Sequence, residues 1–232
     1  MRPILILTGI ELEARALARQ LELPAFRLSG IPAYGRKGVR LAAAGLRATL
    51  LESRWPALLE GLDRPIVVSA GVCGALAPGL RSGDVVLPQR VMSPRGELRH
   101  VASWNAVDAP RAPSGDLLLT TADVVATREA KAALFAATSA IAVDMESSLI
   151  ADAAAGAGLT AMVVRGVSDD AHQDIPRGLL EVLTPAGRLR AARAAGLLVR
   201  PSALRRALYM QRATRRALRA VAAVLATLRP SG

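Results

Sequence analysis

The chain has 232 residues, of which 52% are hydrophobic, and its mean hydropathy is +0.32. This apolar content is enough for a sizeable core, which excludes both an intrinsically disordered chain and a small scaffold held together by disulfides. The length predicts a single domain over residues 1–232. The net charge of +11 raises the question of an anionic partner, either nucleic acid or a lipid surface.

The positive charge lies at one end of the chain. Residues 1–176 contain 18 basic and 18 acidic side chains, whereas residues 177–232 contain 12 basic side chains and a single acidic one, Glu181. The surplus of 11 in the second segment equals the net charge of the whole protein. We therefore predict a neutral body with a basic, helical C-terminal extension over 177–232.

Cysteine and histidine are scarce in this sequence. Cys73 is the only cysteine, which excludes an internal disulfide and a thiolate metal site. His100 and His172 lack the spacing of a zinc pair, so we predict no metal and no cofactor. The apolar run from Ile4 to Ile10 has no signal-peptide cleavage site, and no window approaches the roughly 20 apolar residues of a membrane span. We expect a cytoplasmic protein, either free or peripheral to the inner face of the membrane.

In chain order, short apolar runs alternate with helical patterns, which predicts an α/β domain with a largely buried sheet. The predicted strands are Ile4–Thr8, Val39–Ala43, Ile66–Ala70, Asp84–Leu87, Leu117–Thr121, Ala140–Val143 and Ala161–Gly166. The predicted helices are Glu11–Leu21, Arg47–Leu62, Arg128–Ala137, Glu146–Ala157, Arg188–Leu198 and Ser202–Leu228. Residues 88–115 contain four prolines and are predicted to form a long irregular loop or lid.

The last predicted helix is amphipathic. At 100° per residue, one side carries Arg205, Arg212, Arg216 and Arg219, and the other carries Met210, Ala217, Leu218, Val221, Leu225 and Leu228. The basic side is either solvated or attracted to anionic lipid head groups, and we favour the first interpretation. No nucleic-acid partner is expected, because the chain has only six aromatic residues and no groove-reading motif.

Four segments place acidic residues or glycines directly after predicted strands, where open α/β sheets hold their ligands. In the first, Thr8 to Arg15, Glu13 is either a first-turn charge favoured by the helix dipole or a general base for water. In the second, Gly71 and Gly74 form a tight turn or let backbone amides close on an anion or a sugar oxygen. No Gly-Lys-Ser/Thr follows these glycines, so the segment is not a P-loop.

The other two segments carry carboxyl groups at strand ends. Asp144 and Glu146 flank Met145, and both acids are also suitable caps for the next helix. Asp169 and Asp170 are adjacent at the end of a buried strand. Because neighbouring acids repel and burial disfavours the charged form, one of this pair could hold a proton and act as a general acid. The alternative is an Asp-rich turn.

Together these segments resemble the nucleoside phosphorylase and nucleosidase superfamily, whose members cleave N-ribosidic bonds. The resemblance runs in order from residue 4 to about 176. Its most specific part pairs Val-Asp-Met-Glu-Ser at 143–147 with Val-Arg-Gly-Val-Ser-Asp at 164–169. The resemblance implies a three-layer αβα sandwich around a central mixed, twisted sheet. It also implies a homo-oligomer, with a dimer as the first expectation, and a site assembled at strand ends.

The resemblance assigns a role to each matching residue. Glu146 matches the residue that binds the ribose 2′ and 3′ hydroxyls, and Met145 packs against the sugar and base. Asp169, preceded by Ser168 in the substrate site, matches the acid that protonates or hydrogen-bonds purine N7. Glu13 matches the acid that activates the attacking water in methylthioadenosine and adenosylhomocysteine nucleosidases. The implied chemistry is coherent, because carboxylates stabilise an oxocarbenium-like C1′ while a protonated base leaves more readily.

The nucleophile stays open between water and phosphate as a co-substrate. Gly71 and Val72 match the substrate-binding loop near the nucleophile, but Val72 stands where family members commonly have a serine. Ser69 stands where hexameric purine phosphorylases carry a phosphate-binding arginine. Arg47 and Gly74 are candidate phosphate contacts, although Arg47 is equally compatible with a solvated first-turn side chain. Glu13 tips the balance slightly toward water.

The tail resembles one branch of the superfamily. Ile175-Pro176, then Thr184 to Arg188, then Arg200-Pro201 before a final Arg/Leu helix look like the hopanoid-associated phosphorylases. Members of that branch release adenine from an adenosyl group attached to a hopane triterpene, which implies adenosylhopane as substrate and a role in hopanoid biosynthesis. The first alternative is a general methylthioadenosine/adenosylhomocysteine-type nucleosidase. The second, from another class, is a non-catalytic relative that binds lipid or nucleoside.

Overall fold

A computed structural model describes residues 2–103, 116–175 and 201–227, with side chains from 208 onward in the last range. The strands are β1 (Ile4–Thr8), β2 (Ala25–Leu28), β3 (Ile31–Arg36), β4 (Val39–Ala43), β5 (Ile66–Ala75), β6 (Val85–Val86), β7 (Arg90–Met92), β8 (Leu98–His100), β9 (Leu117–Thr120), β10 (Ala142–Asp144) and β11 (Ala161–Asp169). The helices are α1 (Glu11–Gln20), α2 (Leu51–Leu59), α3 (Arg128–Thr138), α4 (Ser147–Gly156) and α5 (Pro201–Thr227), and a 3-10 turn covers Leu46–Ala48.

The strands form one mixed sheet in the order β2-β3-β4-β1-β5-β10-β9-β7-β8, with β11 between β5 and β6. The first half of β5 pairs in parallel with β1, whereas its last two residues pair antiparallel with β10. On its other edge, β5 pairs in parallel with β11 from Val67 to Gly74. The neighbour of β5 therefore changes between Ser69 and Gly74, and this point opens a crevice in the sheet.

Helices cover both faces of the sheet. On one face, α1 and α5 pack on β1, β5 and β11 through an apolar cluster that includes Leu17, Val164 and Val221. On the other face, α2 and α4 pack on β1 and β5 through Leu58 and Ile150. Burying both faces of a largely parallel sheet explains its continuous apolar runs. The predicted three-layer αβα sandwich with a mixed sheet is confirmed.

Helix α5 belongs to the first helical layer, and its buried stripe includes Ala217, Leu218, Val221 and Leu225. Its backbone approaches β11 so closely that a Cβ on Gly166 would lie 2.5 Å from the Ala217 carbonyl oxygen. The predicted amphipathic pattern is confirmed for the described side chains, since Arg212, Arg216 and Arg219 are exposed. The Arg205 and Leu228 side chains, the predicted helix 188–198 and the tail motifs at 176 and 184–200 lie outside the described residues. No described helix is long and apolar enough to cross a bilayer.

Several predicted boundaries are wrong for identifiable reasons. Residues 88–103 are not an irregular loop, because β7 and β8 form an antiparallel hairpin whose turn contains Gly96 at φ +82°. The strand β7 also pairs in parallel with β9, so backbone pairing outweighs the proline signals. Residues 104–115, the rest of the predicted lid, lie outside the described residues. The edge hairpin of β2 and β3 was not predicted, since its exposed residues lack an apolar run.

The glycine segment and the second helix also differ from prediction. Gly71 to Gly74 form the second half of β5 rather than a turn, because β11 and β10 pair with this segment from its two edges. The predicted helix Arg47–Leu62 begins only at Leu51 and ends at Leu59. Arg47 instead lies in the 3-10 turn with a left-handed backbone, φ 54° and ψ 32°.

Candidate active site

The crevice at the ends of β1, β5, β10 and β11 contains a cavity that brings together seven of the nine predicted site residues. They are Glu13, Val72, Gly74, Met145, Glu146, Ser168 and Asp169. Gly71 and Arg47 do not line this cavity but contact residues that do. Residues separated by more than 150 positions in the chain therefore meet in one place.

Glu13 reaches the cavity from the first turn of α1. Its side chain is buried, Oε1 accepts a hydrogen bond from the Val72 backbone N–H at 3.0 Å, and Oε2 accepts one from the Ile10 N–H at 3.3 Å. Burial raises the pKa of the Glu13 carboxyl, and the positive charge of Arg165 and these backbone donors oppose that shift. A carboxyl with a raised pKa and one face toward a cavity is suited to take a proton from water.

Glu146 lies at the start of α4 and is buried. Its Oε1 accepts a hydrogen bond from the backbone N–H of Arg47 at 2.9 Å, so the left-handed turn at Arg47 aims an amide at this carboxylate. Burial, then repulsion from Asp144, raises the pKa of Glu146 to about 7, while the charge of Arg165 acts in the opposite direction. The Arg47 guanidinium points elsewhere and pairs with Asp123 at 3.1 Å.

A fully buried ion pair between Arg165 and Asp144 lies next to the cavity carboxyls. Arg165, in the middle of β11, contacts Asp144 at 2.8 Å, and its guanidinium donates to the hydroxyls of Ser69 and Ser147. The Asp144 carboxylate also accepts from the Ser147 backbone N–H. Sequence reasoning quoted Arg165 only as part of a motif. Its position inside a predicted buried strand could have identified it, because a buried charge requires a buried partner of opposite charge.

Asp169 ends β11, and both of its carboxylate oxygens have partners. Oδ2 accepts a hydrogen bond from the ammonium of Lys131, and Oδ1 lies 2.7 Å from the Ser168 hydroxyl. Sequence reasoning missed Lys131, which is fully buried on α3. Helical spacing could have identified it, because Lys131 lies three and four positions before Leu134 and Phe135, which pack on the sheet from the same face of α3.

Three of the four carboxyls that line the cavity rest against a glycine. A Cβ added to Gly71 would lie 2.9 Å from a Glu13 oxygen, and one added to Gly9 would lie 2.9 Å from Cδ of Glu146. A Cβ on Gly74 would lie 2.9 Å from Oδ2 of Asp169. The space predicted to admit an anion at Gly71 and Gly74 is therefore occupied by the protein's own carboxyl groups.

The rest of the cavity wall is mainly apolar, with Ile10, Leu46, Val124, Val125 and Ile175 around the acidic cluster. Within the ranges that the structure describes, no group of three or more histidine, cysteine, aspartate or glutamate side chains is arranged to hold a metal ion. The acidic side chains that line the cavity are Glu13, Asp144, Glu146 and Asp169.

One family model matches part of the chain. Residues 97–200 match the family model described as the Phosphorylase superfamily. The matched segment covers less than half of the chain. It contains Lys131, Glu146, Arg165 and Asp169 of the site. A comparison with curated protein sequences gave no match.

Solved structures share the fold of this chain over nearly its whole length. The 5′-methylthioadenosine/S-adenosylhomocysteine nucleosidase from Helicobacter pylori has a TM-score of 0.63 at 16% identity, with 98% of this chain and 97% of the other covered. Futalosine hydrolase of H. pylori has the same TM-score and identity, with 97% and 96% covered. The Arabidopsis thaliana 5′-methylthioadenosine nucleosidase has a TM-score of 0.65 at 17% identity, with 100% and 98% covered.

These comparisons confirm the predicted resemblance at the level of the phosphorylase superfamily and its fold. The predicted class of enzyme, one that cleaves N-ribosyl bonds, is the class to which these fold relatives belong by name. The finer assignment to the hopanoid-associated branch is a proposal and is argued below.

Proposed function

We propose that this protein is an enzyme that cleaves the N-ribosidic bond of a 5′-substituted adenine nucleoside with water and releases adenine. One observation carries the proposal: Glu13, Glu146 and Asp169, three buried carboxyls from different parts of the chain, face one cavity. Two of them, Glu13 and Asp169, abut β5 at Val72 and Gly74. The fourth carboxyl of the cavity, Asp144, is paired with Arg165.

The proposed roles follow from that placement. Glu146 accepts hydrogen bonds from the ribose 2′ and 3′ hydroxyls, and Met145 packs against the sugar and base. As the bond from C1′ to N9 breaks, its electron pair moves onto the purine, and Asp169 delivers a proton to N7. Water bonds to C1′ and gives its proton to Glu13. Each acid–base contribution of this kind accelerates such a reaction by about 10² to 10⁴.

Water is favoured over phosphate as the nucleophile because the cations around the cavity are already paired with carboxylates. Arg165 and Lys131, the fully buried cations among the described residues, are engaged by Asp144 and Asp169. The Arg47 guanidinium is bound to Asp123, and Gly74 contacts a carboxylate rather than open space. A phosphate dianion next to Glu13 and Glu146 would meet negative charge without an available buried cation. We therefore propose hydrolysis.

The finer proposal is that the substrate is adenosylhopane, consumed at the inner face of the membrane during hopanoid biosynthesis. Apolar walls at Ile10 and Leu46 support a substrate with an apolar 5′ substituent. Near the cavity residue Ile175, Gln173 contacts Met210 of α5, and the adjacent side chains Leu208 and Tyr209 are 43% and 50% exposed. Exposed apolar side chains beside an arginine face are typical of a lipid-contacting helix.

The decisive experiment is product analysis with purified protein and adenosylhopane, with and without phosphate. We expect adenine and free ribosyl product in both conditions, and less than about 1% of that rate for Asp169→Asn. Phosphoribosyl product in the phosphate reaction would overturn hydrolysis. Equal turnover by wild type, Asp169→Asn and Glu146→Gln would overturn the assigned residues.

A second candidate is a general methylthioadenosine/adenosylhomocysteine-type nucleosidase, which the names of the fold relatives favour. Release of adenine from methylthioadenosine but not from adenosylhopane would select this candidate. Binding of both compounds without any turnover would instead indicate a non-catalytic relative. We also propose that the protein is a homo-oligomer, most simply a dimer. Analytical ultracentrifugation of the full chain would measure its oligomeric state.

A further inference from the structure

Lys131 is used in an unusual way for a lysine. Its side chain is fully buried, and its ammonium donates to Oδ2 of Asp169 and, at 2.9 Å each, to the backbone carbonyls of Asp170 and Gln173. All three donors of the ammonium are thus used. The three acceptors lie between Asp169, the last residue of β11, and Gln173, so the ammonium of Lys131 is bound to the end of that strand.

The Asp169 carboxyl keeps its contacts whether or not it carries a proton. The Ser168 hydroxyl lies 2.7 Å from Oδ1 of Asp169 and 3.1 Å from the Cys73 carbonyl oxygen. When Asp169 is ionised, Ser168 can donate its proton to Oδ1. When Oδ1 is protonated, Asp169 can donate to Ser168 while Ser168 donates to Cys73. Proton transfer at Asp169 therefore requires no movement of its neighbours.

We infer that Lys131 is a positioning residue for departure of the purine base and acts through Asp169. This inference rests on the proposed function. When the Asp169 carboxyl passes its proton to N7, a carboxylate and a protonated purine form as the bond from C1′ to N9 breaks. Lys131 holds Oδ2 in place and stabilises the negative charge as it develops on Asp169. Solvent returns the proton to Asp169 after adenine leaves.

The inference separates two halves of the reaction. Activation of the leaving group depends on Lys131, whereas activation of water depends on Glu13, which lies at the other end of the β5 segment. A riboside with p-nitrophenolate as leaving group needs no proton from the enzyme. Its hydrolysis should still depend on Glu13 but not on Lys131.

The test compares Lys131→Met with wild type on an adenine nucleoside and on p-nitrophenyl riboside. Lys37→Met is the matched control, because Lys37 is the only other lysine of the chain and is exposed. We expect Lys131→Met to lower kcat for adenine release about 100-fold or more, with KM changed less than threefold. Hydrolysis of p-nitrophenyl riboside should stay within threefold of wild type. Equal losses on both substrates, or no loss on either, would overturn the inference.

A second comparison covers the case in which Lys131→Met alone does not fold, since it leaves the buried Asp169 carboxylate without a cationic partner. The double variant Lys131→Met/Asp169→Asn removes both charges and should match Asp169→Asn alone on the adenine nucleoside. A further tenfold loss in the double variant would show that Lys131 acts independently of Asp169, which contradicts the inference.

Binding of the free base separates this inference from the proposed function. Wild type should bind adenine more tightly than 7-deazaadenine, which lacks N7, and Lys131→Met or the double variant should lose most of that preference. If wild type cleaves no nucleoside, the proposed function fails, and the loss or retention of this preference still decides the role of Lys131. An unchanged preference in the variants would overturn it.

Discussion

The carboxylate of Glu13 occupies the place where a side chain on Gly71 would begin. A Cβ at Gly71 would lie 2.9 Å from Oε1 of Glu13 and 2.5 Å from Nη1 of Arg165. Real Cβ atoms do not approach other heavy atoms this closely, so either Glu13 or Arg165 would have to move. The position of the proposed base thus depends on the absence of one methyl group.

We therefore expect Gly71→Ala to lower kcat for adenine release by about 10². Affinity for free adenine should change little, because the purine is assigned to the Asp169 end of the cavity. The measurements are steady-state kinetics and adenine binding on the same preparation. Gly79→Ala is the control, since an added Cβ there meets nothing within 4 Å. If Gly71→Ala has the kcat of the wild type, the reaction does not require the observed position of the Glu13 carboxylate.

The raised pKa of Glu146 predicts a pH dependence of stability. This carboxyl has a pKa of about 7 in the folded protein against 4.5 as its ordinary value, so the folded state holds its proton more strongly than the unfolded state. The free energy of unfolding should therefore fall as pH rises from 4.5 to 7, by up to about 3 kcal/mol, and level off above 7. Glu13, whose pKa is also raised, acts in the same direction.

Glu146→Gln should flatten this dependence, since its amide oxygen can still accept the Arg47 N–H. Urea unfolding at pH 5, 6, 7 and 8 measures the effect, and the variant should be more stable than wild type at pH 8. Glu129→Gln, at an exposed carboxyl on α3, is the control and should retain the slope. A wild-type curve that rises between pH 5 and 7 would contradict the prediction.

The close approach of Gly166 to the Ala217 carbonyl predicts a large effect of one methyl group on stability. Gly166→Ala would place Cβ 2.5 Å from that oxygen, and α5 would have to move away from β11. We expect a loss of about 1–3 kcal/mol in the free energy of unfolding. Gly156→Ala, where an added Cβ meets nothing within 4 Å, should be neutral or slightly stabilising. Equal stabilities for the two variants would show that α5 does not pack as described.

The basic face of α5 predicts affinity for anionic vesicles. Replacing the exposed Arg212 and Arg219 by Gln should weaken binding to phosphatidylserine-containing liposomes by roughly fivefold per arginine. Adenine release from a soluble nucleoside should not change, because neither residue lines the cavity. Arg36→Gln, an exposed arginine on β3, is the control variant. If liposome binding is unchanged by the double replacement, the basic face of α5 does not contact lipid and is solvated.

Sequence patterns predicted the parts of this fold in which local and tertiary signals agree. The strands β1 and β4 were predicted with correct ends, because they pair in parallel with each other along their whole length and bury apolar side chains such as Leu5, Leu7 and Leu41. The β2–β3 hairpin was missed, since pairing at an exposed edge leaves no apolar pattern. For the segment Gly71 to Gly74, the sequence left open a tight turn or a loop whose amides close on an anion or a sugar oxygen, and only pairing with β10 and β11 makes it a strand.

The sequence by itself determined a neutral, apolar α/β body, a basic amphipathic last helix and a set of acids at strand ends that resembles a nucleoside-cleaving family. Only the tertiary structure decided which charges meet. Arg165 pairs with Asp144, and Lys131 pairs with Asp169, 38 positions away. Burial removes the water that would otherwise solvate these charges, so each must find a partner in three dimensions, and spacing along the chain does not encode that partner.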